Sequence, residues 1–527
     1  MRVLGSSDDR HERLDGHDSG RQFRPMQNFA LRSLRAHWAP AFRWALMLAA
    51  TVMAVQLGAC SEGLPLAPSA KQIAKLPLPA APSYIIQFGN NGVLPQSLQA
   101  AIQQAGGHIA RVQRSMGLAL VTGLTPSAAN ALRSSGAAPL MLPNVRRQYV
   151  REPVFASHGV LVYPKASART SRLTPLANAD PRSAVFFDSL QWNMKTIRAD
   201  SAWQVSTQGA GTKVFILDTG VDTAHIDLRG RVDGALSTSF AFNPTDTAGA
   251  SPLPFDHDVA GHGTFVSSLI ATNSLGVAAV APQAELVMVR VLDDRGGGDD
   301  FGVISGILYA ADNGADVVNV SLGGYLSRSN PFDLAVSDLI QRAVDYATAR
   351  GALVVAAAGN EALNTNTATS PTGSYSDSVH VFAGGIRQVI SVGATGPVNQ
   401  QNFDSIALYS NFGKADVAVF APGGGVITLG TANAKDVILG ACSAPSNPDC
   451  TNEMAYVPGA GTSFSSPLVA AEAAVIKAQA HTKPAPTALE ACILSSADAP
   501  KGKSKPDINY NFGRIDVLNG VLHSKCK

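Results

Sequence analysis

The chain has 527 residues, 46% hydrophobic and 15% charged, with a formal net charge of +2. Those proportions belong to a globular protein with a large core and exclude a disordered one. The near-neutral balance gives no electrostatic ground for a nucleic-acid or polyanion partner, and the length allows two or three domains.

Residues 1–43 are polar and arginine-rich, and Trp44–Ala59 carries no charge. That run falls short of the roughly 20 residues a membrane-spanning helix needs. With Arg32, Arg35 and Arg43 before it, it reads as the apolar region of an export signal, so residues 1–60 are assigned to a signal segment. The long polar lead makes Met26 an alternative start. Residues 61–82, with prolines among alanines, read as an extended tether.

Residues 83–150 alternate strand and helix. Strands are expected at Ser83–Phe88, His108–Val112, Leu118–Val121 and Leu140–Val150, and helices at Pro95–Ala105 and Ser127–Ser134. The rhythm is that of a small α+β, ferredoxin-like domain. Residues 151–188, with scattered Arg, Pro and Ser, read as a linker open to proteolysis.

From 189 to 527 apolar strands alternate with helices. The strands are Lys213–Asp218, Glu285–Leu292, Val317–Leu322, Leu353–Ala358, Val389–Gly393 and Val417–Ala421; helices begin near His262, Asp300, Leu334 and Ser463. Strands apolar on both faces belong to a buried parallel sheet, so the fold class is three-layer α/β. Chemistry in such folds gathers at the carboxyl ends of the strands.

The first of those ends is Asp218-Thr219-Gly220. Gly261-His262-Gly263-Thr264 opens a helix with a histidine between glycines, and Gly461-Thr462-Ser463 opens another with a serine. Carboxylate, imidazole and hydroxyl supply the orienter, base and nucleophile of acyl transfer. Ala357-Ala358-Gly359-Asn360 ends a further strand on an amide side chain. Asn360, with the backbone N–H of Ser463, would form an oxyanion hole. His257 is a rival base on a polar loop with Asp256 and Asp258; Glu361 is either a pocket-floor group or a solvated charge; Asn330, Asp333 and Asp338 read as a solvated helix face.

Four of five cysteines lie late in the chain. Cys442 and Cys450 bracket a polar turn that a disulfide would close, which leaves Cys492 and Cys526 to staple the C-terminal segment. Both pairs need an oxidising compartment.

The blocks Asp218-Thr219-Gly220, Gly261-His262-Gly263-Thr264 and Gly461-Thr462-Ser463-Phe464-Ser465-Ser466-Pro467 resemble, in that order, the signatures of the subtilisin-like (subtilase) serine endopeptidases. Ala357-Ala358-Gly359-Asn360 resembles the block with the oxyanion asparagine. The resemblance implies that Ser321, Leu322, Gly323 and Gly324 line one wall of the primary specificity pocket and Ala357, Ala358 and Gly359 the other. From these small residues, broad cleavage after large uncharged residues is expected. Residues 83–150 resemble the family's inhibitory propeptide, with the maturation cut inside 151–188. Leu57-Gly58-Ala59-Cys60 resembles a lipoprotein box, which would lipidate Cys60; an ordinary cleaved signal is the alternative. A monomer is expected, acting on proteins or peptides, exported to the cell surface, the outer membrane or the medium.

Phe464 and Phe265 depart from the usual family residues, and the loop Thr272–Leu275 is shorter than the family's calcium loop although Asp227 stands at a calcium-like position. No metal is assigned, and no cofactor is required for the chemistry. Asp-Thr-Gly also marks aspartic proteases, but the one similar tripeptide is Asp18-Ser19-Gly20, ahead of the apolar run. The hydrolase elbow G-x-S-x-G is missed, and His262 and Asn360 oppose a sedolisin. The rival functions are a surface-anchored binding protein on this fold and a protease confined to cutting itself.

Overall fold

The computed structural model describes residues 68–527 except 74, 90–91, 139, 151–153, 156–160, 163–179, 243–250, 372, 382–384, 426–434, 451–452, 500–504, 524–525 and 527. The signal-like segment and Cys60 lie outside the described residues.

Strands β1 (Ser83–Gln87), β2 (His108–Gln113), β3 (Leu118–Thr122) and β4 (Leu140–Pro143) form an antiparallel sheet in the order β2-β3-β1-β4. Helices α1 (Gln96–Gln104) and α2 (Pro126–Ser134) cover one face. Successive side chains of a strand point to opposite faces. Tyr84, Ile86, Val121 and Met141 accordingly pack with Leu98, Ile102 and Leu132 of the helices, while Ile85, Leu118, Leu120 and Leu142 face the other way. Residues 68–82 are not an extended tether: Ile73 and Leu78 are buried, and Arg133 Nη1 donates to Ile73 O at 3.1 Å.

The stretch 140–150 is not one strand. Pro143 has no N–H to continue the ladder, and Asn144 turns away, its Oδ1 accepting from Phe301 N at 3.0 Å. Strand β5 (Arg146–Gln148) then pairs antiparallel with β11 (Gly297–Asp299) of the larger domain. Further on, β6 (Val154–Phe155) and β7 (Leu161–Val162) pair with β16 (Ala455–Ala460). Ala184 and Phe187, inside the expected linker, belong to the main core.

That core surrounds a seven-stranded parallel sheet of β8 (Lys213–Asp218), β9 (Thr238–Ser239), β10 (Glu285–Arg290), β12 (Val317–Val320), β13 (Leu353–Ala357), β14 (Val389–Thr395) and β15 (Val419–Pro422). The order is β15-β14-β13-β12-β8-β10-β9. Val214, Ile216, Val317, Leu353 and Val355 pack against α3 (His262–Ile270) and α6 (Thr462–Gln479). Phe215, Leu217, Val318, Val354 and Ala356 pack on the opposite face, against α4 (Asp300–Asp312) and α5 (Pro331–Ala349). This is the expected three-layer α/β fold.

Ile85, Leu118, Leu120 and Leu142 of the small sheet enter that second core beside Ile307 and Leu308 of α4 and Leu339 and Ile340 of α5. A fully buried aliphatic side chain contributes about 1.5–3 kcal/mol, against about 0–1 kcal/mol for an exposed ion pair. The apolar face therefore holds the two domains more strongly than an exposed ion pair would.

Candidate active site

Asp218, the last residue of β8, is wholly buried, and its Oδ1 accepts from Thr219 N at 2.8 Å and lies 2.7 Å from His262 Nδ1. The approach depends on the next residue being glycine. A Cβ on Gly263 would stand 2.1 Å from Gly220 O and 3.1 Å from Asp218 Cβ. Asp258 secures the same junction from a buried position, accepting from Gly261 N at 2.9 Å, Thr264 N at 2.8 Å and Thr219 Oγ1 at 2.8 Å. It is not part of a solvated loop; its one sequence signal was a carboxylate just ahead of a helix start. His257, the rival base, is exposed.

His262 Nε2 is buried and, among the described residues, has no hydrogen-bond partner. Burial by itself lowers the imidazole's pKa, but the attraction and hydrogen bond of Asp218, helped by Asp258, outweigh it and raise it above 6.5. The protonated form is thus favoured in the folded state. Its stabilisation is complete below the unfolded value of about 6.5 and is lost as pH rises through the raised one. A base must be unprotonated, so kcat/KM is expected to climb with a midpoint above about 6.5 and level off at mildly alkaline pH. A pH–rate profile checks this; a flat profile from about pH 5 to 9 would exclude His262 as base.

Ser463 is the second residue of α6, in the turn whose backbone N–H groups have no helical partner. Pro467 lies in the next turn and cannot donate to the carbonyl four residues back. That carbonyl is Ser463 O, and it accepts instead from Ser321 Oγ at 2.9 Å. Asn360 is held by its oxygen: Oδ1 accepts from Thr462 N and Thr462 Oγ1, both at 2.9 Å. Its Nδ2 is left for another acceptor. A Cβ on Gly461 would stand 3.7 Å from Asn360 Nδ2 and 3.8 Å from Ser463 N, so glycine keeps open the space between the two donors.

Phe464 and Phe265 stack with ring centroids 4.1 Å apart, and Phe464 lies 5.8 Å from the His262 ring. The two departures from the family pattern are one packing unit, which brings the residue after Ser463 against His262. Leu322, Ala357 and Ala358 are buried, and Gly359 N donates to Thr462 Oγ1 at 3.1 Å. Gly323 N donates to Tyr149 O at 3.1 Å, and Gly324 lies against the Tyr149 ring, so both touch the chain's own N-terminal segment. Glu361 is no free surface charge: its Oε2 accepts from Tyr325 Oη at 2.8 Å and Asn411 Nδ2 at 2.9 Å. Asp333 is not on a solvated face either. It is buried beside Arg147, Nη2 to Oδ1 at 2.8 Å, a partner 186 residues away that no local pattern discloses.

The residues around Asp227 do not fit a calcium ion. Its carboxylate already accepts from Leu275 N at 2.7 Å, Gly276 N and Val277 N at 3.0 Å, and Tyr456 Oη at 2.7 Å. Among the described residues no group of three or more His, Cys, Asp or Glu is placed to hold a metal. Disulfides join Cys442 to Cys450 and Cys492 to Cys526.

Residues 209–514 match the profile of the Subtilase family. The chain is 32% identical over 341 residues to thermitase of Thermoactinomyces vulgaris, covering 64% of this chain and 98% of thermitase. It is 34% identical over 291 residues to subtilisin Savinase of Lederbergia lenta, covering 55% of this chain and 84% of that one. Among solved structures it is similar to the epidermin leader peptide processing serine protease of Staphylococcus aureus, with a TM-score of 0.65 at 21% identity over 84% of this chain and 98% of that one. Fervidolysin from Fervidobacterium pennivorans gives a TM-score of 0.58 at 22% identity over 84% and 61%. At such identities the structural likeness is one of fold.

Proposed function

The chain belongs to the Subtilase family and is a serine endopeptidase, and from that premise we propose that it works through Asp218, His262 and Ser463 and is made as a precursor blocked by its own residues 68–150. His262 takes the proton of Ser463 as the hydroxyl attacks a peptide carbonyl. Asp218 holds the imidazole's tautomer and stabilises the imidazolium. Asn360 Nδ2 and the Ser463 N–H receive the oxyanion, His262 protonates the leaving amine, and water resolves the acyl-enzyme. The substrate is a protein or peptide, and neither an organic cofactor nor a metal takes part.

One observation carries the precursor reading. The chain's own segment lies along the cleft: β5 pairs with β11, Val150 N donates to Gly296 O at 3.0 Å, and the chain next pairs at Val154 with Ala460, three residues before Ser463. These two flanking pairings support a first cut between Val150 and Val154, at the front of the 151–188 linker. Export rests on the charge-free run Trp44–Ala59 and on two disulfides, which need an oxidising compartment. The lipid anchor rests on the sequence around Cys60 alone.

Intact-mass and N-terminal sequencing at the first appearance of activity test the precursor reading. The expected new N-terminus lies between residues 151 and 154. A first cut beyond residue 162, with none before it, would exclude the arrangement.

A further inference from the structure

The segment in the cleft is held in two ways. Its backbone contacts (β5 with β11, Val150 N to Gly296 O, Gly323 N to Tyr149 O) suit any extended peptide, because they read no side chain. Two side chains on the same edge of the segment, Arg147 and Tyr149, meet the same buried group. Arg147 Nε donates to Asp300 Oδ1 at 2.7 Å, Nη2 to Asp300 Oδ2 at 3.1 Å, and Nη2 also to Asp333 Oδ1 at 2.8 Å. Tyr149 Oη donates to Asp300 Oδ1 at 3.1 Å. The ring enters between Gly298 and Gly324, where an added Cβ would come within 3.6 and 3.4 Å of it.

Asp300 is 0% exposed. Its carboxylate, paired side-on with a planar guanidinium, makes the geometry that a lysine or a neutral side chain cannot reproduce. Arg146, by contrast, meets Asp293 with a side chain 41% exposed, against 13% for Arg147, so selection falls on Arg147.

We propose that Asp300, with Asp333, is a specificity determinant of the mature enzyme: it selects substrates with an arginine two residues before an aromatic residue, on the N-terminal side of the cut. The inference rests on the peptidase reading above and adds the substrate class. It narrows the broad preference expected from the small residues of the cleft, because a buried carboxylate left without a donor penalises substrates that lack one. The precursor's Arg147-Gln148-Tyr149 is then the first copy of the motif that the enzyme meets.

The test uses the processed enzyme and quenched fluorescent peptides spanning residues 144–158, with position 147 kept as Arg or changed to Ala or Glu. Wild-type kcat/KM should favour Arg over Ala by about 10- to 100-fold, with Glu poorer still. In Asp300→Asn the Arg/Ala ratio should collapse towards one, and in Asp333→Asn it should fall part of the way. Arg and Ala peptides cut at rates within about twofold would overturn the inference while leaving the peptidase reading standing. So would failure to cut any of them by an enzyme whose Ser463 still takes an organophosphate label. Absence of both cutting and label would bring down the peptidase reading as well. The wild-type ratio decides alone if a variant fails to fold.

Discussion

Ser463→Ala is expected to lower kcat by about 10⁶-fold, a magnitude carried over from a subtilisin that loses its nucleophile. The loss is large because no neighbouring group can replace it. Ser465 Oγ and Ser466 Oγ are buried, and the Ser466 hydroxyl is engaged with Ser321 Oγ at 2.9 Å. Water attacking within the same cleft keeps the small residue of rate that the oxyanion donors supply. The same variant should also remain at precursor length, because the segment crossing the cleft is its first substrate. Ser463 is half-buried at a helix start and, among the described residues, no hydrogen bond to its hydroxyl holds the fold, so the alanine variant should fold as the parent does. Casein turnover, intact mass and far-UV circular dichroism check the three parts. Turnover within about tenfold of the parent, in a folded variant, would remove Ser463 from the chemistry and favour a binding protein on this fold.

Asn360→Ala is expected to lower kcat by about 10²–10³-fold with KM little changed, again the scale known for a subtilisin that loses one side-chain donor. Asn360 is exposed, so its truncation removes little packing. Its oxygen is committed to Thr462, which aims Nδ2 at the space beside Ser463 N. Charge develops there only as the carbonyl becomes tetrahedral, so the loss falls on the transition state and on kcat and kcat/KM alike. Asn360→Asp keeps an acceptor for Thr462 while offering no donor and adding negative charge, and should be at least as slow. Steady-state kinetics on a peptide amide checks both; a rise in KM at constant kcat would make Asn360 a substrate-binding group instead.

The three-layer fold was legible because a buried parallel sheet writes itself as runs such as Val317–Val320 and Leu353–Ala357, apolar on both faces. The strand ends were less so. Past Arg290, Val320 and Ala357 the buried pattern continues for one or two residues after the ladder stops, because Val291, Leu292, Leu322 and Ala358 still pack in hydrophobic clusters. The division of 140–150 was hidden for a related reason: strand character says that a segment pairs, not with which partner.

What the sequence determined by itself was local. Asp218, His262, Ser463 and Asn360 each stand at or just past the end of a strand or at the start of a helix, within two residues of a glycine, and that need is written within a few neighbouring positions. The tertiary structure alone decided which groups those positions meet. Asp258 caps the histidine helix, Asp227 takes backbone donors and Tyr456 across 229 residues, and Asp300 and Asp333 close on Arg147 across 153 and 186. A carboxylate carries the same letter whether solvated, capping a helix or paired in the interior. Its role is set by which donors the fold brings within about 3 Å, and these come from elements far apart in the chain.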